Sequence, residues 1–229
     1  MESKRELPKF AVLQLSGCSG CEVSLLNSEE WINNFNLVYM NLVVTTNKIP
    51  DDVEVLLVSG GVRTDEDIHN LRKGASRSKK VIAVGTCALS GGVAQIREEH
   101  QARDTYLLSS HRLRLPDMLP RAFPIDRFVP VDLYLPGCPP TPQLFMTALT
   151  EGENAKIASI VCQECGRQKL QDMRPTSITG MRSGVTLPDI CLINQGYVCV
   201  GTSTRGGCGA LCTRPGHACV GCRGPANPY

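Results

Sequence analysis

Twelve cysteines in 229 residues constrain this sequence more than any other feature. They stand at Cys18, Cys21, Cys87, Cys138, Cys162, Cys165, Cys191, Cys199, Cys208, Cys212, Cys219 and Cys222. Four are spread over the first 161 residues, and eight crowd into the 61 residues from Cys162 to Cys222. Twelve is three times four, and four thiolates complete one cubane iron–sulfur cluster. A disulfide framework suits small secreted scaffolds. This chain is long enough for a sizeable core, and Met1–Phe10 is charged and lacks the apolar run of an export signal. A zinc ribbon needs two Cys-x-x-Cys pairs about 15–20 residues apart. The tail pairs Cys162/Cys165 and Cys219/Cys222 are instead separated by 53 residues that hold four more cysteines. Thiolate ligands alone do not separate zinc from iron–sulfur chemistry.

The first half alternates apolar runs with helical patterns. Phe10–Leu15 reads as a buried strand running into Ser16-Gly17. Cys21–Trp31 spaces Val23, Leu25, Leu26 and Trp31 helically, with Glu22, Glu29 and Glu30 on other faces. Leu37–Val44 and Val53–Val58 are further strand patterns, the second ending at Ser59-Gly60-Gly61. Asp65–Ser78 reads as a surface helix. Val81–Val84 gives a fourth strand, which ends at Gly85-Thr86-Cys87, and Val131–Leu135 a fifth, which ends at Pro136-Gly137-Cys138. Pro142 suits the first turn of a helix reaching Leu149.

This alternation predicts an α/β fold: a flavodoxin-like, doubly wound parallel sheet over residues 1–155, then a small irregular cysteine-rich domain over 156–229. In such sheets ligands bind beyond the carboxyl ends of the strands. Cys18 and Cys21 follow the first strand, Cys87 the fourth and Cys138 the fifth. Topology therefore gathers all four at one edge, each after a glycine-containing turn that lets backbone approach a bulky group.

Other features bound the function. No run approaches the ~18 apolar residues of a membrane span. Gln101–Pro130 lacks periodicity and is broken by Pro116, Pro120 and Pro124, so a surface arm against a partner is expected there. Residues 155–229 carry a balance of +5 and residues 1–154 one of −3, so a basic surround would partly offset negative clusters. Nucleic acid is disfavoured: the net charge is +2, and Tyr197 and Tyr229 are the only aromatics of the tail. Ser59-Gly60-Gly61 matches neither phosphate-loop spacing.

The segments Ser16-Gly-Cys18-Ser-Gly-Cys21-Glu22, Gly85-Thr-Cys87-Ala88 and Pro136-Gly-Cys138-Pro-Pro140 together resemble the small subunit of [NiFe] hydrogenases. The tail, Cys162-x2-Cys165-x25-Cys191-x7-Cys199 followed by Cys208-x3-Cys212-x6-Cys219-x2-Cys222, extends that resemblance over essentially the whole chain. Cys162 stands where many relatives have histidine, and Cys212 where the common pattern has proline beside a three-iron cluster. Those departures, with the longer Cys191–Cys199 spacing, look most like the cytoplasmic group 3 type. Its members are deazaflavin-reducing, viologen-reducing or nicotinamide-linked. The complex I subunit of the same general look is set aside, because Ser19-Gly20 separates Cys18 from Cys21 and the eight-cysteine tail is extra.

The resemblance implies three [4Fe-4S] clusters. Cys18, Cys21, Cys87 and Cys138 would hold the proximal one, Cys162, Cys165, Cys191 and Cys199 the distal one, and Cys208, Cys212, Cys219 and Cys222 the medial one. It implies an electron-transfer subunit of a cytoplasmic hydrogenase, whose nickel–iron site lies on a large-subunit partner. A further partner would be an electron-acceptor subunit of flavin, nicotinamide, deazaflavin or heterodisulfide-reductase type, with neither nucleic acid nor membrane involved. Glu22 is the candidate proton relay, against the plainer reading of a first-turn helix acid. Backbone N–H groups of Gly17, Gly20, Gly137 and Gly207, and His217, are candidate donors to cluster sulfur. A multi-cluster electron carrier without a nickel partner is the alternative, and a zinc-structured interaction protein the remote one.

Overall fold

The computed structural model describes residues 7–46, 48–92, 95, 115–152, 159–180 and 187–226. Two compact units divide the chain, Met1–Asn154 and Ala155–Tyr229.

The first unit is built on strands β1 (Lys9–Gln14), β2 (Asn36–Met40), β3 (Val53–Ser59), β5 (Ser78–Val84) and β7 (Leu133–Leu135). They form one sheet in the order β2-β1-β3-β5-β7, with every neighbouring pair parallel. Numbered among themselves, the strands run 2-1-3-4-5, the flavodoxin-like order. Covered on both faces, such strands become continuous apolar runs rather than alternating ones. Phe10–Leu13 and Leu56–Val58 accordingly are buried along their whole length.

Helices α1 (Gly20–Leu26), α2 (Glu30–Asn34), α3 (Asp65–Ala75), α4 (Gly85–Ser90) and α5 (Pro142–Glu151) complete the layers. Helix α3 starts at a capping box: Thr64 accepts from the Asp67 N–H at 3.1 Å, and the Asp67 carboxylate accepts from the Thr64 N–H at 3.0 Å. Its buried face presents Leu71 and Gly74 to the sheet. A Cβ on Gly74 would come within 3.0 Å of Leu56 and 3.1 Å of Ile49, so glycine sets how closely the helix docks.

Two expectations change. The helical pattern Cys21–Trp31 is two helices, α1 and α2, separated at Asn27–Glu29, because Asn27 caps α1 through its backbone N–H. The region expected as a surface arm contributes to the core over its described part; residues 101–114 lie outside the described residues. Strand β6 (Met118–Phe123) pairs antiparallel with β4 (Val62–Thr64), and Ala122, Ile125 and Val129 are buried. Pro120 is tolerated because a two-stranded ribbon leaves edge positions that need no N–H donor.

The second unit has one described helix, α6 (Val161–Cys165), followed by turns and isolated bridges such as Ile160↔Arg205 and Gln168↔Ile190. Its apolar cluster is small: Val161, Ala210 and Cys219, with Cys165, Cys199, Val200 and Cys208 packed against them. Polar side chains replace sheet ladders. Arg167 donates to the carbonyls of Thr213 at 2.6 Å, Leu187 at 2.9 Å and Ile190 at 3.0 Å. Asn194 donates to Leu170 at 2.7 Å and Met173 at 2.6 Å, and accepts from the Leu170 N–H at 3.1 Å.

Candidate metal centres

The carboxyl ends of β1, β5 and β7 carry the first four cysteines. After β1 the chain is held to the end of β3 by two backbone bonds, Ser16 N–H to Gly61 O at 3.1 Å and Gly61 N–H to Ser16 O at 2.9 Å. Gly60 has φ +80°, and a Cβ there would sit 2.8 Å from the carbonyl carbon of Leu15, so this crossing admits only glycine. Ser19, between Cys18 and Cys21, adopts the left-handed region at φ 64° and accepts from Gln14 Nε2 at 2.7 Å. Cys21 then enters the first turn of α1.

Further contacts tie the three cysteine-bearing turns to one another. Thr86, beside Cys87, donates its N–H at 2.8 Å and its hydroxyl at 3.0 Å to the Gly137 carbonyl, beside Cys138. Ser24 in α1 donates to the Pro140 carbonyl at 2.6 Å. Gly85 has φ +78°, and the place its Cβ would take lies 2.5 Å from Cys21 Sγ. The sulfur occupies the space that glycine leaves.

Cys18, Cys21, Cys87 and Cys138 thereby line a single cavity of about 100 Å³, together with Glu22 and Ser59. Burial pushes the Cys21 thiol far above the usual thiol range, and the neighbouring Glu22 carboxylate and the Cys87, Cys18 and Cys138 sulfurs push it further. Every one of these influences disfavours the thiolate. A metal cluster, bringing its own positive iron, is the charge that would deprotonate such a thiol. The donor chemistry and the open cavity therefore fit a thiolate-held cluster. Among the described residues, no three His, Cys, Asp or Glu side chains are gathered closely enough for a single metal ion.

Glu22 is 2% exposed on the cavity wall, and its Oε1 accepts from the Ser59 hydroxyl, itself buried. Glu22 is both the acid of the first turn of α1 and a lining residue of the cavity that holds the four cysteines.

In the tail, Cys162 and Cys165 sit on α6. Burial raises the Cys162 thiol first, and Cys191, Cys165 and Cys199 then add to it, so these four share one neighbourhood. Cys219 is raised by burial, opposed by hydrogen bonds from the Gly221 backbone and the Thr204 hydroxyl, and raised again by Cys199 and Cys208. The Cys219 N–H donates to Cys199 Sγ at 3.3 Å, which joins these two tail cysteines directly. Cys208 and Cys222 both face the Arg223 guanidinium. Cys212 is exposed, and its carbonyl accepts from the His217 N–H at 2.8 Å.

One expected sulfur donor is committed elsewhere. The Gly207 N–H donates to Glu164 Oε1, so it is not aimed at a cysteine. Glu164 and Arg223 were not among the residues expected at the site. Their signal was position: each is a charged residue inside or directly beside a Cys-x-x-Cys pair, in a tail with three acids.

A sheet edge that gathers four thiols, followed by a cysteine-rich unit, defines an iron–sulfur electron-transfer protein, and comparisons with known proteins agree. The family described as NADH ubiquinone oxidoreductase, 20 Kd subunit, matches residues 18–151. A subunit of the vhu F420-non-reducing hydrogenase of Methanocaldococcus jannaschii is 36% identical over 235 residues, covering 94% of this chain and 81% of the relative. The delta subunit of sulfhydrogenase 2 of Pyrococcus furiosus is 29% identical over 226 residues, covering 95% of this chain and 86% of the relative. Among solved structures, an NAD+-reducing [NiFe]-hydrogenase in the H2-reduced state matches with TM-score 0.55 at 28% identity, over 64% of this chain and 90% of that one. The [NiFeSe] hydrogenase of Desulfovibrio vulgaris Hildenborough shares the fold at TM-score 0.58 and 19% identity, over 98% of this chain and 96% of that one.

The chain belongs to the NADH ubiquinone oxidoreductase 20 Kd subunit family through its sheet unit and, over nearly its whole length, to the iron–sulfur small subunits of group 3 [NiFe] hydrogenases. The complex I resemblance, set aside on sequence grounds, is thus a real kinship of the first unit. The family match ends at residue 151, before Cys162, and the tail is what the hydrogenase relatives share.

Proposed function

We propose that this chain relays electrons between a nickel–iron site on a hydrogenase large subunit and a cytoplasmic acceptor module, through three [4Fe-4S] clusters. When bound, such clusters accept and release single electrons at potentials set by ligands, hydrogen bonds and burial. Cys18, Cys21, Cys87 and Cys138 hold the proximal one. Cys162, Cys165, Cys191 and Cys199 hold the distal one, and Cys208, Cys212, Cys219 and Cys222 the medial one. The observation that carries the reading is the convergence of four cysteines from three strand ends on one cavity. The grouping of Cys162 with Cys165, Cys191 and Cys199 supports the partition of the tail.

Glu22 is the relay residue for the proton that must leave when hydrogen is oxidised. Its carboxylate is oriented by the Ser59 hydroxyl and lies within the same cavity wall as the proximal cysteines. Relatives named as F420-non-reducing favour an acceptor other than a deazaflavin, with a heterodisulfide-reductase-type or nicotinamide-linked module as the partner.

The test is metal analysis of the anaerobically isolated complex. About twelve irons per copy of this chain, with nickel in the same assembly, is the expected result. Cys87→Ser should cut the iron by about four and abolish hydrogen-dependent dye reduction. Full iron without nickel would leave a stand-alone electron carrier, and zinc in place of iron would overturn the reading.

A further inference from the structure

Arg223 directly follows Cys222 and is 3% exposed, a rare position for a guanidinium. Its Nε donates to the Gly206 carbonyl at 2.6 Å. The charged groups that face it are Cys208 and Cys222, the Glu164 carboxylate and Arg205. Glu164 lies between Cys162 and Cys165 yet reaches across to the backbone on both sides of Cys208. It accepts from the Gly207 N–H, from the Gly209 N–H at 3.0 Å and from the Ser159 hydroxyl at 2.7 Å.

This arrangement is more than a loop staple. Glu164 uses up two N–H groups flanking Cys208, which would otherwise be available to its sulfur. Beside Cys208 and Cys222 stands a buried, permanently protonated cation. Buried charge is screened little, and a fixed positive charge favours whichever state of its neighbour carries the additional electron.

We propose that Arg223 sets the reduction potential of the cluster held by Cys208, Cys212, Cys219 and Cys222, drawing electrons onto it, with Glu164 as the positioning residue that holds the Cys208 loop against the guanidinium. The inference rests on the ligand partition proposed above. Its consequence is directional: the medial cluster is held at a higher potential than four thiolates alone would give it.

The experiment is an anaerobic reductive titration of the purified complex, each cluster followed by its electron paramagnetic resonance signal. Arg223→Gln with full iron should lower the reduced-to-oxidised ratio of one cluster roughly tenfold at fixed potential, which is 59 mV for one electron. Arg223→Lys, which keeps the charge, should recover most of that shift. Glu164→Gln, which removes a negative charge, should move the same signal the opposite way, and it decides the matter if Arg223→Gln fails to assemble. Unchanged midpoints with full iron, or equal shifts in the Gln and Lys variants, would overturn the role of Arg223. Cys208→Ser identifies the signal: a shift confined to a cluster that survives in Cys208→Ser overturns the ligand partition instead.

Discussion

The two units solve the same problem, holding thiols in fixed places, by different physics. In Met1–Asn154 the cysteines are mounted on the edge of a parallel sheet that has its own continuous buried core. In Ala155–Tyr229 the apolar cluster among the described residues is built on three buried residues, one of them the cysteine Cys219. The remaining order comes from side chains that bond to backbone carbonyls, Arg167 and Asn194 foremost. The cysteines of the first unit are passengers on a fold; in the second, Cys219 belongs to the apolar cluster and Cys165, Cys199 and Cys208 pack against it. Metal binding to such a unit is folding free energy.

Iron removal gives the largest effect by which to break this comparison. Chelation under anaerobic, reducing conditions should abolish hydrogen-exchange protection in the second unit, at α6 and the turns around Arg167 and Asn194, while the strands β1, β3 and β5 stay protected. Equal loss in both units would show that the sheet also depends on its cluster. The mirror experiment is Leu56→Ala, at a residue wholly buried between sheet and helix α3. A truncation of this kind costs about 2–5 kcal/mol in a packed core. It should lower the urea midpoint of the first unit and leave the tail signals in place.

The same contrast explains what could be read from the sequence. The strands were legible because a sheet covered on both faces imposes long apolar runs, and Gly-Cys turns mark where they end. Topology then brought Cys18, Cys21, Cys87 and Cys138 together without further information. The ribbon of β4 and β6 was hidden, since Met118–Phe123 carries a proline and an arginine and its burial depends on Phe123 and Ala122 meeting a distant segment. In the tail, spacing and resemblance supplied the ligand groups, but not the partners of Glu164 or Arg223. The Glu164 bonds join residues some 40 positions apart in a unit without regular periodicity, and no local pattern encodes them.

A smaller effect tests the claim that the sheet edge is prebuilt for its cluster. Gly85→Ala forces a side chain into a position with φ +78° and into the space of Cys21 Sγ. Strain of this kind costs roughly 1–3 kcal/mol. Cluster content should fall by one, about four irons, while the tail clusters persist. Retention of all the iron would mean that the turn relaxes and the edge is less rigid than the contacts around Thr86 and Ser24 indicate.

The smallest effect sharpens the comparison by asking how far the first unit's order depends on polar side chains at all. Asp67 accepts from the backbone N–H of Arg63 at 2.8 Å and of Thr64 at 3.0 Å, and from the Ser16 hydroxyl at 2.9 Å, two residues before Cys18. It therefore joins the start of α3 to the turn that leads into the cysteine loop. Thr64→Ala removes the other half of the capping box and should cost about 1 kcal/mol in urea unfolding, with Thr64→Ser nearly neutral. Neither change should alter iron content, because Asp67 keeps its bonds to Ser16 and Arg63. An equivalent polar deletion in the tail, Asn194→Ala, leaves the carbonyls of Leu170 and Met173 without the amide that satisfies them. That variant should destabilise its unit more than Thr64→Ala does the sheet, since only a small apolar cluster is found among the described residues of that unit. A cost in the tail equal to or below that of the cap would mean that the clusters alone, and not the polar scaffold, hold the second unit together.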